Sequence, residues 1–170
     1  MVDEAANIAG WMTYKELKWL AKQAKKHRRI VEIGSYQGRS TCALAQNTKG
    51  VVYAVDDFIG PRDKQNLGLP VFELFCGNLL PEIQSGRVIP VVSNHSEVDL
   101  NVSPDMVFID GSHEYQDVKR DITTWKNRIG DGGLLCGHDI QFPQVQQAVK
   151  EVVPNYRIAR KTSIWYVVCD

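Results

Sequence analysis

Leu17, Leu20, Ala21 and Ala24 recur at helical spacing, which places them on one apolar stripe of a helix. Ahead of them, Thr13-Tyr14-Lys15-Glu16 has the spacing of a capping box, in which Thr caps an amide three residues on and Glu reaches back. A helix is predicted over 13–29, closed by Lys22, Lys25, Lys26, His27, Arg28 and Arg29, whose charges complement the negative end of the helix dipole. At Ile30 the period changes. Ile30-Val31-Glu32-Ile33 is a short, mostly apolar run ended by Gly34, the pattern of a strand buried on both faces.

Similar runs follow at 51–55, 87–92, 105–109 and 133–136, with helical patterns between most of them. The clearest of these covers 115–129, where Val118, Ile122, Trp125 and Ile129 line one face and Lys119, Asp121 and Lys126 the other. Gly130, Gly132 and Gly133 then stop it. Strands alternating with helices imply a parallel sheet with right-handed crossovers. The segments 156–159 and 163–168, separated by a short polar turn, add a final antiparallel hairpin. The expectation is one doubly wound α/β domain over 1–170 with a mostly parallel, seven-stranded sheet.

The chain has 170 residues, 44% of them apolar and 24% charged, the balance of an ordinary globular domain. Twenty Lys and Arg against twenty Asp and Glu leave no overall field to draw it to nucleic acid or an anionic membrane. The basic run at 22–29 has no aromatic stacking platform beside it, so it reads as a helix end. No apolar run approaches the ~20 residues of a membrane span, and the first residues lack the form of a secretory leader. Cys42, Cys76, Cys136 and Cys169 have neither zinc nor Cys-x-x-Cys spacing; they read as buried thiols of a cytoplasmic protein.

In open parallel sheets ligands bind beyond the carboxyl ends of the strands. The first such place is Glu32-Ile33-Gly34-Ser35-Tyr36-Gln37-Gly38-Arg39-Ser40-Thr41, where glycine permits a tight turn and close approach to bare backbone. A dinucleotide site needs a glycine where Tyr36 stands. A P-loop needs four residues between its glycines and a Lys after the second, whereas this chain has three and Arg39. After the second strand, Asp56 is the candidate to accept hydrogen bonds from a ribose, with Asp57 as the turn residue. After the third come Asn94, His95 and Ser96, either ligand contacts or a helix cap. After the fourth comes Asp110-Gly111-Ser112-His113 and after the fifth His138-Asp139. Two histidines flanking two carboxylates at one sheet edge form a candidate reaction centre. Residues 57–70 hold Pro and Gly without periodicity and form a candidate substrate loop.

The glycine turn resembles motif I of the class I S-adenosylmethionine-dependent methyltransferases, which have a Rossmann-like fold. Together with 110–115, 117–121 and 132–139 it resembles the group containing cephalosporin-hydroxylase-like and macrolide-sugar O-methyltransferases. The resemblance implies that S-adenosylmethionine lies on Glu32, Gly34, Ser35, Tyr36, Gly38, Ser40, Asp56 and Asp110, with Asn94, His95 and Ser96 at the adenine edge. It implies a small-molecule hydroxyl as methyl acceptor, with His113 as general base beside Asp110. In members that use a metal, carboxylates at the positions of Asp110 and Asp139 hold Mg²⁺. Here His138 stands where a second acidic residue is usual, an exchange that suits a transition metal better than Mg²⁺. Two rival readings stay open: a non-catalytic subunit that binds S-adenosylmethionine or S-adenosylhomocysteine, and a nucleotide-binding hydrolase. A homodimer is a reasonable assembly.

Overall fold

Alternate residues of the central strands point to opposite sides of the sheet, and each side meets its own layer of helices. In the computed structural model, which describes residues 2–60, 70–93 and 100–169, the strands are β1 (Arg29–Ile33), β2 (Val51–Asp56), β3 (Val88–Val92), β4 (Met106–Ile109), β5 (Leu134–Gly137), β6 (Arg157–Ile158) and β7 (Trp165–Val168). They form one sheet in the order β3-β2-β1-β4-β5-β7-β6. The first five pair in parallel, and β7 lies antiparallel to both β5 and β6. This is the doubly wound sheet with a terminal hairpin that the alternation of patterns implies.

The described helices are α1 (Asp3–Asn7), α2 (Tyr14–Ala24), α3 (Arg39–Ala45), α4 (Val71–Asn78), α5 (Leu80–Gln84), α6 (Tyr115–Lys126) and α7 (Pro143–Val152). Ile30, Val52, Ala54, Phe108 and Cys136 face Leu17, Leu20, Ala43 and Leu44. Val31, Val55, Val107, Ile109 and Leu135 face Ile122, Trp125, Ala148 and Val149 on the other side. The first core is built on α1 to α4, the second on α6 and α7. No described helix is long and apolar enough to cross a membrane.

Three expectations shift in detail. The helix predicted over 13–29 has its capping box but ends at Ala24. The basic run then turns: His27 N donates to the Ala24 carbonyl, and the Asp105 carboxylate accepts from the backbone N–H of Arg28 and Arg29 at 2.9–3.0 Å. That carboxylate draws the chain from α2 into β1, so Arg29 is already in the sheet. The helix at 115–129 ends at Lys126, its last predicted turn replaced by a tight turn onto the Trp125 carbonyl. Cys42 and Cys136 are buried as expected, whereas Cys76 and Cys169 are partly exposed; none of the four is joined in a disulfide.

At the end of β5 a side chain on Gly137 would lie 2.6 Å from the ring of buried Trp165 on β7 and 2.7 Å from the Ile109 carbonyl. Glycine is what lets the hairpin close on the parallel sheet. Gly137→Ala overpacks this junction and is expected to cost about 1–3 kcal/mol in urea denaturation, and an unchanged midpoint would show that the hairpin yields without strain.

Candidate active site

The parallel register brings the carboxyl ends of β1, β2, β4 and β5 to one edge of the sheet, and the glycine turn after β1 is fixed there from three sides. Gly34 (φ +87°) packs on the next loop so closely that a Cβ would stand 2.3 Å from the Asp110 carbonyl oxygen. The Asp56 carboxylate accepts from the backbone N–H of Ser35 (2.7 Å) and Tyr36 (2.8 Å) through one oxygen, and from Phe58 N–H (2.7 Å) through the other. Burial pushes its carboxyl above the ordinary range against the pull of these donors. Asp57 accepts from Ile59 N–H, the turn role expected of it. Of roughly four lone-pair sites on a carboxylate, Asp56 has three engaged by the turn among the described residues.

Tyr36, Phe58 and Asp139 have φ of 47°, 54° and 60°. Residues of these types enter the left-handed region at a cost of order 1–3 kcal/mol, and these three lie just beyond β1, β2 and β5. Such strain concentrates where a scaffold holds ligand-binding loops. The ring of Tyr36 meets Trp11 at 5.2 Å. Arg39 turns away from the glycine turn: its guanidinium donates to the carbonyls of Ala6, Ile8 and Met12. The cation that a phosphate loop would need there instead holds the N-terminal segment.

Beneath the turn Glu32 is fully buried. Its Oε2 accepts from Ser35 and Thr41 hydroxyls, while Oε1 has no hydrogen-bond partner among the described residues. Burial raises its carboxyl to about 7, opposed by the nearby hydroxyls of Ser40, Thr41 and Ser35. An orphaned buried carboxylate oxygen is costly unless a donor arrives. A cationic group bound on the turn would supply one.

The second half of the site joins β4 and β5. His113 Nε2 lies 2.8 Å from Asp139 Oδ2, and its ring stacks on Phe142 at 4.6 Å. The hydrogen bond to Asp139 raises the pKa of His113. His138 is buried, with Nδ1 facing Asp139 Oδ1 at 3.3 Å and Asp110 Oδ1 at 3.5 Å. Its Nε2 lies 2.8 Å from Ser163 Oγ and 3.2 Å from Glu16 Oε1. Burial would lower the pKa of this imidazole, but the carboxylates of Asp110, Asp139 and Glu16 outweigh it and hold it far above the ordinary range. In turn, Asp139 is held low by the two imidazoles against its burial. Asp110 is raised by burial, against the pull of the His138 imidazole it faces.

The structure thus brings Glu32, Gly34, Ser35, Tyr36, Gly38, Ser40, Asp56, Asp110, His113, His138 and Asp139 to one edge. There His113 is hydrogen-bonded to Asp139. Asn94, His95 and Ser96 lie outside the described residues, as do 61–69 of the expected substrate loop. Sequence reasoning misses Glu16, Ser163 and Phe142. Glu16 already has a local duty in the capping box, and nothing in a linear pattern signals a contact with a serine 147 positions away.

The profile of a methyltransferase domain family matches residues 31–140, from β1 to just beyond β5. The chain belongs to that family. Two curated relatives of this methyltransferase domain, both uncharacterized proteins, come from Sinorhizobium fredii (22% identical over 139 residues, 78% of this chain) and Acanthamoeba polyphaga mimivirus (26% over 140 residues, 76% of this chain). The chain spans 15% and 61% of their respective lengths. Among solved structures, a SAM-dependent O-methyltransferase from Thermotoga maritima superposes with a TM-score of 0.73 at 17% identity, covering 99% of this chain and 70% of that one. An O-methyltransferase from Bacillus cereus in complex with SAH superposes at 0.67 and 17% identity, covering 98% and 87%. These likenesses establish the class I methyltransferase fold.

Glu32 binds fewer protons in the unfolded chain than in the folded one between its ordinary value of 4.5 and about 7, so stability falls as pH rises through that window. Glu32→Gln removes the titration. The variant is expected to match wild type near pH 4.5 and to exceed it at pH 8 by up to roughly 3 kcal/mol, read by urea denaturation of the ligand-free protein; an offset independent of pH would contradict the burial of an ionisable Glu32.

Proposed function

We propose that this chain is an S-adenosylmethionine-dependent methyltransferase acting on a hydroxyl of a small molecule. The observation that carries this is the meeting, at one sheet edge, of a clamped glycine turn above a buried, half-satisfied Glu32 and a His113–Asp139 pair suited to accept a proton. When bound, S-adenosylmethionine supplies a methyl group on a sulfonium, which departs as a neutral thioether. Its amino-acid end fits the turn formed by Gly34, Ser35, Tyr36, Gly38 and Ser40, with Glu32 to meet the positive charge. The remaining acceptor site of Asp56 suits a ribose hydroxyl, and Asp110 closes the floor beside Gly34.

The protein's remaining tasks are to position the acceptor and remove one proton. Asp139 takes the Nε2 proton of His113 in a hydrogen bond, fixing the ring tautomer so that Nδ1 is the basic atom. His113 accepts the hydroxyl proton as the acceptor oxygen attacks the methyl carbon. Near-attack geometry supplies much of the acceleration, and the stacked face of Phe142 limits how the imidazole can turn. A divalent ion at this edge would draw on Asp110, Asp139 and the Nδ1 atom of His138, whose ligand atoms lie within 4.8 Å of one another, and would act as a Lewis acid. That donor set suits Mg²⁺ poorly, and Asp139 already holds His113 on one oxygen and Gln141 (2.7 Å) on the other. No proton transfer needs such an ion.

Calorimetric titration with S-adenosylmethionine and S-adenosylhomocysteine is expected to show binding that Asp56→Ala weakens at least about tenfold through loss of the turn's clamp. Well-folded protein that binds neither would overturn the assignment.

His113→Ala is expected to lower turnover of a hydroxylated acceptor by about 10²–10⁴ with S-adenosylhomocysteine affinity unchanged. Because Asp139 raises the pKa of His113, kcat/KM should rise with pH to a midpoint above the ordinary imidazole value of 6.5, and Asp139→Asn should move it down. Loss of cofactor binding in His113→Ala would remove His113 from the role of base.

A further inference from the structure

Tyr36 stands in the middle of the glycine turn and is fixed there at both ends. Asp56 holds its backbone N–H, and its hydroxyl accepts from Gln37 Nε2 at 2.9 Å. Trp11 leans on that ring, with centroids 5.2 Å apart and planes tilted by 37°. The backbone around Trp11 is held as firmly. Arg39, the first residue of α3, donates to the carbonyls of Ala6, Ile8 and Met12, and a Cβ on Gly10 would stand 2.9 Å from Arg39 Cδ. Residues 6–12 are therefore a strap laid directly over the arginine that follows the turn. Ile8 and Met12 bury their side chains in the core, whereas the indole of Trp11 is 70% exposed. The apolar surface continues past Tyr36 to Gly60, where a Cβ would lie 3.9 Å from the Tyr36 ring, and to its exposed neighbour Ile59. One exposed apolar side chain needs no explanation; a contiguous set held rigid at the rim of a candidate site marks a surface that a ligand covers.

Deepening the methyl-transfer assignment and resting on it for the identity of the ligand, we propose that Trp11 is a wall of the cofactor pocket, its indole closing with Tyr36 over the amino-acid end of S-adenosylmethionine. That end carries an ammonium and joins the sulfonium, two cations of the kind that an aromatic face attracts, the indole most strongly. Glu32 meets the positive charge from beneath the turn, and the two rings cover it from the solvent side, where excluding water strengthens each electrostatic contact. Arg39 is a positioning residue that acts through the strap. At the place where a phosphate loop directs its cation to the ligand, this chain directs it to three carbonyls and so holds the wall in position.

Calorimetric and intrinsic-fluorescence titrations of the full chain with S-adenosylmethionine and S-adenosylhomocysteine test this role. Wild type is expected to change its tryptophan emission on binding S-adenosylhomocysteine. Trp11→Phe leaves Trp19 and the buried Trp125 and Trp165 in place; it should lose that change yet bind within about threefold of wild type, since a ring remains. Trp11→Ala removes an exposed side chain and no core contact. It is expected to weaken S-adenosylmethionine roughly 3- to 30-fold, the range of one cation–π contact, and S-adenosylhomocysteine, which lacks the sulfonium charge, by less. Arg39→Lys cannot reach three carbonyls at once, so it should weaken binding in the wild-type background and add nothing to Trp11→Ala; equal weakening in both would overturn the part given to the strap. An emission change that persists undiminished in Trp11→Phe would overturn the inference. Wild type that binds neither ligand takes the methyltransferase assignment down with it, whereas wild type that binds both, with Trp11→Ala binding them equally well, sinks the role of Trp11 alone.

Discussion

The edge that carries the candidate site depends on one close approach of backbone to backbone, where Gly34 lies against the carbonyl of Asp110. Parallel pairing of β1 with β4 sets Ile33 beside Ile109, so the residues that follow each strand leave the sheet at the same level. Only a residue without a Cβ lets the two loops touch. Because they touch, the buried carboxylate of Glu32 and the partly exposed one of Asp110 share one floor, and burial, with a smaller contribution from the charge of Asp110, raises the carboxyl of Glu32. A glycine that reads in sequence as a loop former for a ligand is, in the fold, first a junction between strands.

Much of the architecture was legible because it is periodic. The runs at 30–33, 51–55, 105–109 and 133–136 match β1, β2, β4 and β5 closely, and the alternation of patterns implied their parallel pairing. Short helices such as α1 and α5, five residues each, leave too little length for a period to emerge. The end of α2 was misplaced because a basic run can equally well cap a helix or line a turn; the Asp105 carboxylate, 76 residues away from Arg29, decides between them, and no local pattern reports it.

The site was legible by residue type and illegible by partnership. Acidic residues at the ends of β2, β4 and β5 and a histidine three positions beyond Asp110 were visible as chemistry. Which carboxylate serves which histidine depends on loop geometry: Asp139 adopts a left-handed backbone and its side chain meets both His113 and His138. Asp56 shows the same distinction. Its position at the end of β2 suggested a ribose contact, and its carboxylate is there, but most of its hydrogen-bonding capacity first shapes the turn on which a cofactor would lie. A single substitution at such a residue alters scaffold and contact together.

Charge balance explains why the departures from the expected pattern occur together. Replacing an acidic residue by His138 after β5 adds a potential cation beside Asp110 and Asp139, and a buried imidazolium is tolerable only where acceptors satisfy both nitrogens. Asp110 and Asp139 satisfy one. The other lies across the sheet edge from the start of α2, and there Glu16 and Ser163 complete the set. Glu16 is 4% exposed and serves both the cap of α2 and the contacts to Ser163 and His138. The histidine after β5, the serine before β7 and the glutamate in the first turn of α2 therefore form one electrostatic unit assembled from three distant parts of the chain. At the exposed end of that unit the hydrogen bond to Asp139 raises the pKa of His113, and the charge of His138 opposes it.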